Sequence, residues 1–251
     1  MEHYVIYIVG RGKLAEELLR ELSGPAIARV AGWSGRDCRE DTPCIVVHAG
    51  SGRELGDAFD FCARTGSILL ELSTGESLLP ESPSFPVVVC PNVNIQMLRY
   101  MAMIRQASRL FRGQDITVAE SHQAAKTTRP GTAIYLAEAL GVPEAAIRSQ
   151  RDPEVQEKVL GIPTAFLDRH ALHAITIRSP EVEIRLEARV LGKSAYASGL
   201  AQVIAILARN RPAPGFHDIV DLVIDGGAAD ICNAPAQADR KGASYRKRHE
   251  Y

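Results

Sequence analysis

The run "YVIYIVGRGKLAEELLREL", Tyr4 to Leu22, constrains the fold more than any other stretch of the chain. Its first part, Tyr4 to Val9, is an unbroken apolar and aromatic run, which reads as a strand buried on both faces. Glycines follow at once, and then Leu14, Ala15, Leu18, Leu19 and Leu22 fall on one face of a helix with Glu16, Glu17, Arg20 and Glu21 on the other. A strand that turns directly into an amphipathic helix is the opening of a βαβ unit. The pattern continues. "AIARVAGW", "CIVVHA", "SILLEL" and "PVVVC" read as further strands, and "RELGDAFDFCART" as a helix with Leu55, Ala58, Phe59 and Cys62 inward. Residues 1–92 are therefore expected to form an α/β Rossmann-type domain, a doubly wound parallel sheet that binds a dinucleotide.

After "PNVN" the pattern changes. A long helix is expected from Ile95 to Phe111, followed by the strand "DITVAE". In "VEIRLEARV" the residues Val182, Ile184, Leu186, Ala188 and Val190 alternate with charged ones, which is the mark of an antiparallel sheet with one apolar face. Residues 93–205 thus read as a second, α+β domain with a mostly antiparallel sheet. Its polar face is expected to meet either water or another subunit. The segment from about 206 to 228, containing "GFHDIVDLV", completes the first domain, and 229–251 reads as a flexible tail with the basic end "RKRHEY".

Composition narrows the functional classes. A formal net charge of −1 gives no electrostatic reason to bind nucleic acid or a membrane surface, and no stretch approaches the roughly 18 apolar residues of a membrane span. The five cysteines, Cys38, Cys44, Cys62, Cys90 and Cys232, are widely spaced with no C-x-x-C pair, so the expectation is a reduced, cytoplasmic protein with no metal site.

In Gly10-x-Gly12-x-x-Ala15 the first glycine permits a tight turn, the second lets backbone approach a pyrophosphate, and the small third residue allows close helix–strand packing. Gly10, Gly12, Lys13 and Leu14 are accordingly candidate cofactor-binding residues, with Ala49 and Gly50 at the end of the third strand. The second strand ends in "GWSGRD", where Ser34 and Arg36 precede the first acid, Asp37. A hydroxyl and a guanidinium suit a 2′-phosphate, so NADPH is expected over NADH, with NADH possible.

The remaining chemistry lies in "ESHQAAKTTRPGTA", Glu120 to Ala133. Ser121 to Gly131 reads as a loop at a strand end, and Thr132 as the N-cap of the helix "TAIYLAEALG". His122 can give a proton near neutral pH, Lys126 places a positive charge close by, and the helix-start amides of Gly131 and Thr132 suit a carboxylate. A proton donor, a cation and an anion cradle downstream of a nucleotide fold fit reduction of a carboxylated imine.

This segment resembles the signature E-x-H-H-x-x-K-x-D-x-P-S-G-T-A of the dihydrodipicolinate reductases of lysine biosynthesis. Leu72-Ser73-Thr74-Gly75 resembles that family's G-T-T-G loop near the nicotinamide, Cys90-Pro91-Asn92-Val93-Asn94 its hinge, and "GFHDIVDLV" its closing motif. The resemblance implies hydride transfer from NADPH or NADH to a cyclic, dicarboxylated conjugated imine. It makes His122 and Lys126 the catalytic pair, gives Gln123, Gly131 and Thr132 to substrate, and adds Ser73, Thr74 and Asn92 to the cofactor side. It also implies a homotetramer or dimer joined through the second-domain sheet. The signature differs where Gln123 replaces its second histidine, Thr128 replaces aspartate, and the serine before glycine is missing. These changes imply a cyclic imine with one carboxylate, or with a second one differently placed. Two other functions fit the same motifs, a non-catalytic NADPH-binding regulator or scaffold and an amino- or hydroxy-acid dehydrogenase of the two-domain Rossmann group.

Overall fold

The computed structural model describes residues 2–35, 44–73, 82–192 and 195–224. Strands β1 (Tyr4–Val9), β2 (Ile27–Gly32), β3 (Cys44–His48), β4 (Ile68–Glu71), β5 (Pro86–Val89) and β10 (Gly215–Asp218) form a six-stranded sheet in the order β10-β5-β4-β3-β1-β2. All of its pairings are parallel. The chain steps from β1 through helix α1 (Lys13–Glu21) to β2, then crosses to the other side of β1 for β3. That reversal opens a crevice at the C-terminal ends of β1 and β3, where doubly wound sheets bind ligands.

Period-two geometry divides the sheet between two cores. Tyr4, Ile6 and Ile8 of β1, with Ile45, Val47, Ile68, Leu70 and Val88, pack with α1, α3 (Ile95–Ala107) and α6 (Ala197–Arg209). Tyr7 and Val9, with Val46, Leu69 and Val87, face α2 (Leu55–Thr65). The first core also takes in Val118, Ile175 and Ile177 of the second sheet, so one apolar interior reaches from Tyr4 to both sheets.

That second sheet has four strands in the order β7-β6-β8-β9, built from β6 (Asp115–His122), β7 (Arg148–Gln150), β8 (His170–Arg178) and β9 (Glu183–Leu191). The pairs β6–β8 and β8–β9 are antiparallel, and the short β7 runs parallel to β6. Helix α4 (Gly131–Leu140) follows β6, and α5 (Pro153–Lys158) follows β7 with Asp152 accepting the Glu154 and Val155 amides at 2.8 and 3.4 Å. Arg105 of α3, Tyr135 of α4 and Asp218 of β10 form a closed triangle of hydrogen bonds of 2.9 to 3.0 Å. It ties the closing motif to both helices.

Several local readings are corrected. Leu19 is 43% exposed, whereas Glu17 is buried, because its carboxylate accepts the Tyr196 and Ala197 amides at 2.7 and 3.1 Å at the start of α6 and pairs with Arg169. Periodicity assigns a face but not the partner that makes burial of a charge tolerable. In α2 the buried aromatic is Phe61, packed edge-to-face on Tyr7 and Trp33, while Phe59 is half-buried against Phe85. The expected long helix ends its α-helical part at Ala107 and finishes as a 3-10 turn, Ser108–Phe111. Along β9 the alternation fails at one end, where Ile184 is exposed, because β9 is an edge strand. The segment 229–251 lies outside the described residues.

Where the chain passes between the sheets, Asn94 caps α3 by accepting the Gln96 and Met97 amides at 3.1 and 3.2 Å, and its Nδ2 donates to the Ala195 carbonyl at 2.8 Å. Helix α6 crosses this point at Gly199, where an added Cβ would lie 2.0 Å from the Val93 carbonyl oxygen and 3.0 Å from Asn94 Cα. Backbone cannot yield as a side-chain tip can. Gly199→Ala should therefore lower stability by about 1–3 kcal/mol or more, as overpacking of a filled contact does. Thermal unfolding checks this, and an unchanged Tm would show that the crossing is looser than described.

Candidate active site

Residues two apart on a strand share a face, and directly paired residues of antiparallel strands do too. Glu120 and His122 therefore point the same way from β6, opposite His173 and Ala171 of β8. Strand β6 runs on through His122, so the loop begins at Gln123 rather than Ser121. This extra register is what delivers the His122 ring to Glu120.

The Glu120 carboxylate is fully buried and is held by hydrogen bonds from His122, Arg151 and Ser149. His122 Nδ1 lies 2.6 Å from Oε2, and Arg151 grips both oxygens, Nη1 to Oε2 at 3.1 Å and Nη2 to Oε1 at 2.7 Å. Burial alone would raise the Glu120 carboxyl, but the bonds from His122 and Arg151 outweigh it and hold it at about 2. An ionised carboxylate only accepts, so Nδ1 carries the proton and Nε2 is the ring's remaining nitrogen. His122 is itself held below its ordinary value, first by burial and then by the charges of Lys126 and Arg151, against the opposing pull of Glu120.

The Gln123 carbonyl accepts the Lys126 amide at 2.9 Å, forming the turn that brings the lysine back over the strand end. Lys126 Nζ donates to Thr128 Oγ1 at 2.8 Å, and burial together with Arg151 lowers its proton affinity. Gln156 of α5, fully buried, donates to the His122 carbonyl at 2.7 Å and fixes the base of the loop. Thr132 is not the N-cap of α4. Pro130 occupies that position, and the Thr132 hydroxyl donates to the Pro91 carbonyl and accepts from Asn92 Nδ2, both at 3.1 Å. The helix start is thereby bound to the hinge; its first amide, that of Gly131, donates to the Arg129 carbonyl at 3.1 Å, and the next two, of Thr132 and Ala133, have no intrahelical partner.

His122, Gln123, Lys126, Gly131 and Thr132 line a cleft of about 1380 Å³ together with Gly12, Lys13, Leu14, Ala49, Gly50, Ser73 and Asn92. That is more room than the roughly 300–1000 Å³ of a single small-molecule pocket. The glycines fit a dinucleotide. Gly10 has φ 134°, and a Cβ there would lie 2.6 Å from the Ala49 carbonyl oxygen, so only glycine lets β1 and β3 meet at the crevice. A Cβ on Gly12, the N-cap of α1, would meet nothing within 4 Å, which leaves open space over the helix start. Gly10 itself does not line the cleft. Ser34 is exposed beyond β2 and does not line the cleft. Arg36 and Thr74 lie outside the described residues.

Sequence reading did not single out Arg151, Gln156 or His173. No motif marks the first two, which reach the site only because β7 pairs with β6. His173 is 1% exposed, lines the cleft, and packs edge-to-face on His122 with ring centroids 5.5 Å apart. Neither of its ring nitrogens has a hydrogen-bond partner among the described residues, and burial followed by the nearby His122 charge pushes it down to about 3. The register His173↔Glu120 was its only available signal, and register is not written in a single strand.

Glu120 and His173 both have folded-state values below their ordinary ones, so the native protein binds fewer protons than the unfolded chain and acidification destabilises it. His173 acts as pH falls from about 6.5 to about 3, and Glu120 from 4.5 to about 2. Within its window each contributes at most about 1.4 kcal/mol per pH unit. His173→Phe keeps an aromatic ring that cannot ionise, and should flatten the decline of urea-unfolding free energy between about pH 6.5 and about pH 5. An unchanged slope would contradict a neutral, buried His173.

Comparison with known proteins agrees with this architecture. The family described as "Dihydrodipicolinate reductase, C-terminus" matches residues 96–223. The 4-hydroxy-tetrahydrodipicolinate reductase 2, chloroplastic, of Arabidopsis thaliana is 30% identical over 160 residues, which are 58% of this chain and 46% of that protein. The 4-hydroxy-tetrahydrodipicolinate reductase of Streptomyces griseus is 26% identical over 190 residues, 69% of this chain and 75% of the relative. The chain spans about half the length of the plant relatives it matches. The dipicolinate-bound dihydrodipicolinate reductase of Paenisporosarcina sp. TG-14 superposes with a TM-score of 0.59 at 15% identity, covering 86% of this chain and 97% of that one, which shows the shared fold. With the family match covering half the sequence and the fold shared along most of it, this chain belongs to the dihydrodipicolinate reductase family.

Proposed function

We propose that this protein is an NADPH-dependent reductase that transfers hydride to a cyclic conjugated imine carboxylate, the lysine-pathway precursor or a relative of it. The observation that carries this reading is that Glu120-bound His122, Lys126 and the start of α4 line the same cleft as Gly12 and Gly50. When bound, a dihydronicotinamide supplies the hydride. Hydride addition at the carbon end of a conjugated imine leaves an electron pair that must take a proton. His122 gives it from Nε2, since Nδ1 is committed to Glu120, and the ring returns to its neutral form. Its lowered proton affinity favours that transfer. Lys126 and the first amides of α4 hold a carboxylate, and Asn92 keeps α4 against the hinge through Thr132.

Gln123 offers a neutral amide where the family signature has a second histidine. A second carboxylate in the usual position would be desolvated without a matching charge, at a cost of a few kcal/mol. We therefore assign a substrate with one carboxylate, or with a second one differently placed. The absence of an acid at Ser34 and Gly35, after β2, supports NADPH as the coenzyme. The same reading divides the chain into a nucleotide part, 1–92 completed by about 206–228, and a substrate part, 93–205. It places a homodimer or homotetramer contact on the second sheet, where Val182 and Ile184 are 57% and 39% exposed beside the edge strand. Among the described residues no helix is long and apolar enough to cross a membrane.

Consumption of NADPH with a panel of cyclic imine carboxylates tests the assignment. His122→Ala should lower kcat by about 10² to 10⁴ on the best substrate, and Lys126→Ala should raise KM and lower kcat, both with coenzyme affinity unchanged. The wild-type kcat/KM should rise on acidification through a value below 6.5, and His122→Ala should lose that limb. Wild-type turnover by both variants would remove the catalytic assignment. NADPH should bind more tightly than NADH, and a preference of about tenfold for NADH, or about 1.4 kcal/mol, would contradict the reading of the Ser34 turn.

A further inference from the structure

A second buried histidine–carboxylate pair lies away from the Glu120 group. His48, the last residue of β3, and Glu71, the last of β4, are direct neighbours across the sheet, with side chains 0% and 2% exposed. His48 Nδ1 lies 2.8 and 2.9 Å from the two Glu71 oxygens. Glu71 Oε1 also accepts the Ser73 amide at 2.7 Å, just after the strand. On its other side, His48 Nε2 has no partner among the described residues and lies under the glycine turn: a Cβ built on Gly50 would be 3.2 Å from Nε2 and 3.3 Å from Gly10 Cα. The backbone locks the same place, with Ala49 N donating to the Val9 carbonyl at 2.8 Å and Leu72 N to the His48 carbonyl at 2.9 Å.

Polar side chains buried this completely at two strand ends are costly unless the geometry they enforce is used. Neither His48 nor Glu71 lines the cleft, but Gly50, Leu72 and Ser73 do. Strand order says which part of the cleft this is. The adenosine half of a dinucleotide lies beyond β2 and the pyrophosphate over the β1–α1 turn, and β3 and β4 stand on the opposite side of β1 from β2. Ser73 and Gly50 therefore shape the nicotinamide side. We propose that His48 and Glu71 are a positioning pair for that side, the ring supporting the Gly10–Gly50 contact and the carboxylate holding the Ser73 amide. This rests on the dinucleotide reading above and adds residues that contact no ligand.

The test separates positioning from folding. Replacing a buried polar pair by apolar residues of similar volume is often neutral or stabilising, so the double variant His48→Leu/Glu71→Leu should keep or raise the wild-type Tm. NADPH binding, read by nicotinamide fluorescence, should weaken by about tenfold or more, the scale of a lost hydrogen bond to a charged group. Adenosine 2′,5′-bisphosphate, which lacks the nicotinamide half, should bind the double variant as it binds wild type. Glu71→Gln, which retains an acceptor for the Ser73 amide, should recover most of the NADPH affinity. Equal weakening of both ligands would mean general damage and overturn the proposal, as would unchanged NADPH affinity. A wild-type protein that bound neither ligand would overturn the dinucleotide reading and this inference with it.

Discussion

A carboxylate with no solvent exposure holds the β6–β7 wall of the cleft together. Glu120 sits at the end of β6 under the His122 ring, and a charge in that position is tolerated only because Arg151 forks onto both oxygens while His122 donates to one of them. The price of that burial is met by chain segments remote in sequence. β7 must pair with β6 to bring Arg151 into reach, and α5 must fold for Gln156 to bind the His122 carbonyl. The His122 tautomer and ring position are thus consequences of how 148–156 folds.

The wall formed by the ends of β1 and β3 is organised by backbone approach. Gly10 admits contact between the ends of β1 and β3 that any side chain would block, and His48 and Glu71 fill the space beneath. Between the two sides runs a short hinge that both share. Thr132 and Asn92 bind the start of α4 to Pro91, Asn94 caps α3 and reaches Ala195, and α6 crosses at Gly199 without a side chain. Glu17 adds a further link, joining α1 to the start of α6 and to Arg169 on the rim of the cleft. The two walls of the cleft are therefore fixed relative to one another by a few polar contacts around residues 91–94.

Strands β1, β3, β4 and β5 of the parallel sheet were legible because they are apolar runs buried on both faces, whereas β10, Gly215–Asp218, carries no such run and was legible only as part of a closing segment. Tyr4–Val9 and the turn after it carry that information within ten residues or so, and nothing tertiary needs to be known. The second sheet was legible only as a type, since alternation in 182–190 identifies a strand and not its neighbours. What escaped depends on pairing between distant segments. Glu17 looked like a solvated charge because its partners, Arg169 and the α6 amides, lie more than a hundred residues away. Thr132 read as a cap because its hydroxyl partner, the Pro91 carbonyl, is invisible in the local sequence. His122 and Lys126 stood out through their grouping, whereas Arg151, His173 and the His48–Glu71 pair enter through strand register alone.

The arrangement around Glu120 makes one statement that can be read on a single residue. Long-range proton–nitrogen correlation of His122 in the free protein, followed from about pH 4 to about pH 8, reports both the tautomer and the titration of that ring. The proton should sit on Nδ1, the titration midpoint should lie below the ordinary 6.5, and Glu120→Gln should abolish the tautomer preference. A ring protonated on Nε2 at neutral pH, or one titrating above 6.5 and indifferent to Glu120, would contradict that arrangement.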